Sequence, residues 1–255
     1  MKHESLSATA KHVSSSTSLT KRIELQWCAY ALALALVLGL AVVATPPAQA
    51  QTFTVLHTFT APPDGADPGA TLIDVNHNLY GITFGGGASR YYGTVFEVSN
   101  RGKETVLHSF NKANGENPSG SLIRDSAGDL YGTTYYGGAS GNGTVFKLDA
   151  NGKETLLHSF TGYPTDGGYP EAGLVMDTEG NLYGTTSSGG TSDYGTVFKL
   201  DTTSGTEIVL YSFTGGADGG IPAFGTLLMD AKGNLYGTAE LGGASNSGVV
   251  FKLIP

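Results

Sequence analysis

The chain has 255 residues, with 14 Lys and Arg against 22 Asp and Glu, a net charge of -8 and one cysteine. Beyond residue 50 the balance sharpens to 10 basic against 20 acidic residues. A surface of that sign repels nucleic acid and anionic lipid, which excludes both as partners. With Cys28 alone there is no disulfide framework, so stability has to come from packing.

Taken in chain order, the first element is a leader. Lys21-Arg22 precede an unbroken apolar run from Trp27 to Ala44, and Pro46-Pro47-Ala48-Gln49-Ala50 follow. Basic, then apolar, then small-x-small is the order of a secretory signal, with cleavage expected after Ala50. An uncleaved anchor is the alternative, because 18 apolar residues are close to the minimum for a span. Cys28 sits at the start of the apolar run, the wrong end for lipid attachment. Residues 1–50 are therefore read as a signal peptide and 51–255 as one domain, secreted or periplasmic, with no membrane association after cleavage.

The next segment, Thr54-Val55-Leu56-His57-Thr58-Phe59, has the composition of a strand. After it one unit is written four times. Its fullest copy carries Ser121-Leu122-Ile123-Arg124-Asp125, then Asp129-Leu130-Tyr131-Gly132-Thr133-Thr134, then Gly143-Thr144-Val145-Phe146-Lys147-Leu148, then Glu154-Thr155-Leu156-Leu157-His158-Ser159-Phe160. The landmark tyrosines Tyr80, Tyr131, Tyr183 and Tyr236 lie 51 to 53 residues apart, a period that suits a propeller blade. Each unit holds four short segments rich in Val, Leu, Ile, Phe, Tyr and Thr, separated by Gly, Asn and Asp, and no helical period follows Gln51. The prediction is all-β: four antiparallel blades of about 50 residues around a channel. The first three blades fall near 70–110, 121–160 and 172–213.

The phase of the repeat predicts how the ring closes. The segment at 53–59 is a fourth strand with no blade before it, and Gly248-Val249-Val250-Phe251-Lys252-Leu253 is a third strand with no fourth behind it. Combining 225–254 with the N-terminal strand gives a closed four-bladed propeller and removes two edges that would invite aggregation. A larger ring built from two chains is the alternative.

Leu-Tyr-Gly-Thr-Thr, Gly-Gly-Ala-Ser, Gly-Thr-Val-Phe-Lys-Leu and Leu-His-Ser-Phe together resemble the GloVer tandem repeat, the module of choice-of-anchor tandem repeat proteins, over essentially all of 52–254. The resemblance implies export and, often, a C-terminal anchoring segment. This chain departs from that at Ile254-Pro255, so a free exported protein is the expectation. More distantly, Ala172 to Tyr183 is similar to the first hairpin of NHL-type propellers. Neither resemblance implies an activity.

Candidate chemistry is sparse. His57, His108 and His158 repeat at one phase of the last strand, with Tyr211 in the fourth copy, so they fall in different blades and not around one zinc. His77 stands in a turn where the other copies have glycine. The entry linkers, such as Asp64-Gly65-Ala66-Asp67-Pro68 and Asp166-Gly167-Gly168-Tyr169-Pro170, have calcium-loop composition without the ligand spacing of an EF-hand. No Gly-x-Ser-x-Gly or His-Glu-x-x-His occurs. Asp74, Asp125, Asp177 and Asp230 recur at one turn position and read as turn caps. No catalytic residue, metal or cofactor is assigned.

The entry linkers and the connections between second and third strands should emerge on one face, where loop side chains vary between copies. Tyr91, Tyr92, Tyr135, Tyr136, Asn142, Asp193, Tyr194, Glu240 and Asn246 are the candidate ligand-binding residues, since tyrosines stack on sugar faces while amides and carboxylates bond hydroxyls. Glu240 is singled out because its phase holds Phe84, Tyr135 and Ser187 elsewhere. The expected function is a non-catalytic binding or scaffolding module for a glycan or another extracytoplasmic protein. The alternatives are a carbohydrate-active hydrolase or lyase using loop-face carboxylates, or a structural envelope protein.

Overall fold

The computed structural model describes residues 51–60 and 62–255. The expected signal peptide, Cys28 and the expected cleavage site lie outside the described residues. Residues Val55–Pro255 form one compact unit. Among the described residues there are strands and turns but no helix, so none is long and apolar enough to cross a membrane.

The first sheet runs β1 (Gly65–Val75), β2 (Asn78–Gly86), β3 (Thr94–Val98), β4 (Glu104–Ser109), each antiparallel to the next. The second repeats it with β5 (Glu116–Arg124), β6 (Leu130–Tyr136), β7 (Thr144–Leu148) and β8 (Glu154–Ser159). In the third repeat the long first strand is broken. Its early part, β9 (Gly167–Gly168), pairs with β12 (Ser188–Gly189), while β10 (Val175–Met176), β11 (Leu182–Thr186), β13 (Thr196–Leu200) and β14 (Glu207–Ser212) form the meander. The fourth sheet has three strands, β15 (Leu228–Met229), β16 (Leu235–Ala239) and β17 (Val249–Leu253).

The repeated residues build the sheets in the same way each time. Tyr of Leu-Tyr-Gly folds back on the preceding turn, where its hydroxyl donates to Asp125, Asp177 or Asp230 at 3.0 Å. The same aspartates accept turn N–H groups, Asp125 from Gly128 and Asp129, Asp177 from Glu179 and Asn181. Gly132 faces Phe146 across the sheet, and a Cβ there would stand 2.6 Å from Cζ of the ring. The glycine is required by this close approach rather than by its own dihedrals. Thr134 and Thr144 share a buried hydroxyl–hydroxyl bond of 2.8 Å, as do Thr83 with Thr94 and Thr186 with Thr196.

The first repeat differs at its hairpin. Its turn is one residue shorter, with Asn76 and His77 both at positive φ (53° and 66°), the backbone of a two-residue primed turn. Tyr80 there lies beside Glu97, where the other repeats place Lys147, Lys199 and Lys252 about 5.5 Å from the ring centres.

Three apolar clusters fill the joints between successive sheets. Each joint sets a fourth-strand phenylalanine edge-on to a third-strand phenylalanine of the next sheet: Phe110 on Phe146, Phe160 on Phe198 and Phe213 on Phe251, with centroids 5.0 to 5.2 Å apart. Each also ties the residue before a proline to the previous sheet's loop, Asn117 N–H to Tyr92 O, Tyr169 N–H to Asn142 O, Ile221 N–H to Tyr194 O. These residues sit at φ of 54° to 56°, and the joint's hydrogen bond holds them in a conformation such side chains seldom adopt.

The entry linkers, expected as loops, are extended and paired to the end of the second strand in the first two repeats, Gly65 opposite Gly86 and Glu116 opposite Tyr136. The expected pairing of residues 53–59 with the last strand is not formed among the described residues. Phe59 packs edge-on against Phe96 at 5.1 Å, as the fourth-strand phenylalanines do in the joints. Residues 51–60 nonetheless form no strand, and β17 pairs only with β16 among the described residues. Val250 is consequently 83% exposed, where Val95, Val145 and Val197 are fully buried.

Candidate functional site

One end of the sheets gathers the loops, and hydrogen bonds fix them there. Backbone N–H groups of the connections between second and third strands reach the entry linkers, Gly87 to Asp64 O, Gly138 to Lys112 O, Gly190 to Asp166 O and Gly243 to Gly216 O, at 2.8 to 3.1 Å. The two loop sets therefore share a face.

A recess of roughly 310 Å³ opens there, lined by Phe84, Ser119, Tyr135, Glu171 and Phe224, with all four repeats contributing. Tyr135 and Tyr136 meet edge-on with centroids 4.3 Å apart, and Tyr169 stands 5.4 and 5.6 Å from them. Burial, then Glu171 and the two neighbouring tyrosines, push the Tyr135 hydroxyl up to about 12, so it stays a neutral donor. Burial also raises the Glu171 carboxyl; the Ser187 hydroxyl opposes this and Glu240 adds to it. Half-open aromatic faces beside a carboxylate and two hydroxyls can hold a ligand with apolar faces and polar edges.

The structure brings only part of the expected set to this recess. Tyr135 lines it, Tyr136 packs on Tyr135, and Glu240 stands near enough to Glu171 to act on its carboxyl. Tyr91 is exposed at 71%, while Tyr92 packs against the first core cluster. Tyr194 covers Gly215 and Gly220, where an added Cβ would lie within 3 Å of its ring. Asn142 donates to Thr161 O, Asp193 accepts from Ser188 and the Gly189 N–H, and Asn246 accepts from the Gly242 N–H. Asp193 and Asn246 hold their own loops, and Asn142 ties its loop to the next entry linker. Phe84, Ser119, Tyr169, Glu171 and Phe224 were not selected from the sequence. The phase comparison that picked Glu240 already held Phe84, and applied to the position after each entry proline it would have found Ser119 and Glu171.

The histidines occupy separate joints. His57 lies 3.3 Å from Asp64, and His158 lies 3.2 Å from Asp166. His108 meets Asn114, which donates to Glu154 at 2.7 Å, and Tyr211 donates to Asp218 at 2.9 Å. Glu104 and Glu207 complete two His-Asp-Glu groups whose donor atoms fall within 4.8 Å. The aspartates in them are already occupied: Asp166 accepts from the Thr161 N–H and hydroxyl and from the Gly167 N–H. These groups act as latches between a fourth strand and the next entry linker.

The chain belongs to the Gloeobacter/Verrucomicrobia repeat family, whose model matches residues 39–179 and 165–255. Among curated proteins no sequence match was found. Among solved structures the chain is similar to the extracellular domain of a hybrid two component system from B. thetaiotaomicron, at 13% identity and TM-score 0.49, over 75% of this chain and 21% of that one. It is also similar to a chain of a nidogen/laminin complex, at 18% identity and TM-score 0.43, over 70% and 60%. A luciferin-regenerating enzyme matches at 18% identity and TM-score 0.44, over 74% and 60%. The chain thus spans less than two thirds of each of these proteins, and their functions are not carried over.

Proposed function

We propose that this is an exported, non-catalytic binding module, built as a four-bladed propeller whose ring is completed where residues 54–59 meet β17. Its ligand is a glycan, or a glycosylated or other extracytoplasmic protein, held over the recess of Phe84, Tyr135, Glu171 and Phe224. The observation that carries the reading is that recess: four repeats that share their strand motifs differ where they meet on the loop face, and there they present aromatic rings beside a shielded carboxylate. The leader supports export, and the acidic surface supports a neutral or basic partner over nucleic acid or anionic membrane. A thermal-shift and calorimetric screen of the protein against oligosaccharides tests it. A ligand at 100 times its Kd adds about 2.7 kcal/mol to stability, and that shift should vanish in Tyr135→Ala.

A second reading has one observation in its favour. Burial raises the Glu171 carboxyl and Glu240 adds to the rise, and a pair of acidic side chains is the equipment of a glycoside hydrolase. Turnover of a polysaccharide panel that is lost in both Glu171→Gln and Glu240→Gln would favour it over simple binding.

A further inference from the structure

We propose that the loop-face recess recognises its ligand by an organic ammonium group, the charge meeting Glu171 and Glu240 and the carbons around it meeting the rings of Phe84, Tyr135 and Phe224. The inference rests on the binding-module reading above and names the chemical class that the recess takes. Within a glycan that class is an amino sugar whose nitrogen is free rather than acetylated.

The division of the recess between repeats carries it. At the end of the second strand the four repeats hold Phe84, Tyr135, Ser187 and Glu240, and directly after the entry proline they hold Gly69, Ser119, Glu171 and Ala223. Rings thus come from the first two repeats and carboxylates from the last two, while Phe224, next to Ala223, adds a third ring. The protein leaves these rings open: Phe84 is 44% exposed and Phe224 is 76% exposed, and both line the recess with Glu171. The face of an aromatic ring attracts a cation. A wholly neutral ligand would be served by the rings and hydroxyls, and the carboxylates would only add a desolvation cost.

The protein offers these carboxylates no positive partner of its own. Among the described residues Lys147 pairs with Asp129, and histidines lie against Asp64, Glu154 and Asp166. No Lys, Arg or His there pairs with Glu171 or Glu240. Burial and the charge of Glu240 raise the Glu171 carboxyl, as expected of a negative charge held without compensation. Elsewhere the fold completes the same set itself: the Lys147 ammonium stands 5.5 Å from the centre of the Tyr131 ring and pairs with Asp129.

A metal ion suits the recess less well than an organic cation. Calcium takes about six to eight oxygens, whereas two carboxylates and two hydroxyls stand here among apolar rings. A volume of roughly 310 Å³ is near the lower bound of about 300 Å³ for ligand pockets, room for one small group and not for an extended chain. The excess of acidic residues beyond residue 50 draws a cation toward the face.

Calorimetry with three probes tests the proposal: a glucosamine tetramer, the N-acetylglucosamine tetramer of the same linkage, and tetramethylammonium. At neutral pH and low salt the glucosamine tetramer should bind about tenfold tighter than the acetylated one, and tetramethylammonium should compete with it. Glu171→Gln should remove the preference and Glu240→Gln should reduce it. Glu179→Gln, which takes the same charge from the exposed turn between β10 and β11, should leave it intact. Equal or tighter binding of the acetylated tetramer would overturn the proposal and leave the glycan reading standing. Binding of tetramethylammonium without either saccharide would support the ammonium site and count against the glycan. A preference that survives in both Glu171→Gln and Glu240→Gln would belong to the general surface charge and overturn the proposal. Silence from all three probes would overturn it as well, while the wider oligosaccharide screen still decides the glycan reading.

Discussion

The hydroxyl of Tyr183 donates to Asp177 Oδ2 at 3.0 Å, while the Lys199 ammonium stands 5.6 Å from the centre of the same ring. One side chain thereby joins a turn, a second strand and a third strand. The arrangement recurs at Tyr131 and Tyr236 and is absent at Tyr80, where Glu97 replaces the lysine. Turn N–H groups, Asn181 and Tyr183 outweigh desolvation and hold the Asp177 carboxyl below its ordinary value.

Removing that acceptor leaves the turn uncapped and the phenol of the buried Tyr183 unpaired. Asp177→Ala should lower unfolding free energy by about 2 kcal/mol, the scale for a lost charged hydrogen bond and cap. Asp74 accepts only the His77 N–H, so Asp74→Ala should cost less than about 1 kcal/mol. Chemical denaturation of both variants checks the order; equal losses would show that the tyrosine bond contributes nothing.

Gly184 faces Phe198, and a Cβ on it would stand 2.6 Å from Cζ of the ring and 2.9 Å from Leu174. Gly184→Ala should therefore cost about 1 to 3 kcal/mol by overpacking. Phe198→Leu on its own opens space and is also destabilising, but the pair should lose less than the sum of the two. A double-mutant cycle measures the difference, and strict additivity would refute the contact as the reason for the glycine.

This contact also marks how far the sequence could be read. Leu-Tyr-Gly and Thr-Val-Phe announced their strands, because strand composition and hairpin turns are local. That glycine and phenylalanine lie face to face depends on register between strands, which follows once the meander is assumed. The Asp turn caps were legible for the same reason. The extended entry linkers were not, since Gly, Asp and Pro signal a loop, and only pairing with the end of the second strand makes them straight. The two loop sets meet on one face as expected, but four of the five recess side chains were passed over. Tyrosines drew attention by type, whereas Glu171, Ser119 and Phe224 matter because the repeats converge on them.

Glu207 carries the pH dependence of one joint. Burial first, then Asp166, push its carboxyl up to about 7 from the ordinary 4.5, with His158 opposing, and its Oε1 is buried without a partner. A carboxyl raised on folding binds more protons in the native state than in the unfolded one between those two values, so stability falls as pH rises through that window. Asp166 is shifted the other way: its contribution is lost only as pH falls through its lowered value, below the window. Glu207→Gln should remove the decline between about pH 4.5 and 7 and stabilise the protein at pH 8 by about 1 to 2 kcal/mol, allowing for solvent screening on its open side. Melting curves from pH 4 to 8 decide it; a variant that melts lower than the parent at pH 8 would mean that Glu207 is stabilising as a charge.

The loop face contains two kinds of polar and aromatic residue, and substitution should separate them. Asn142 donates to Thr161 O, while its own carbonyl takes the Tyr169 N–H across the joint. Asn142→Ala should cost about 1 kcal/mol of stability. Its effect on binding should be slight, because the rings of Tyr135 and Tyr136 stay packed on each other. Tyr135 lines the open recess, with part of its ring free to meet a ligand. Tyr135→Ala should leave the melting temperature within a few degrees of the parent and weaken an oligosaccharide ligand by about 1 to 3 kcal/mol, a tenfold loss or more. Phe84→Ala, 44% exposed across the same recess, should act in the same sense. Calorimetry beside thermal melts reads both axes for each variant. If Asn142→Ala abolishes binding while Tyr135→Ala does not, the ligand sits on the outer loops between the second and third strands and not in the recess where the four repeats meet.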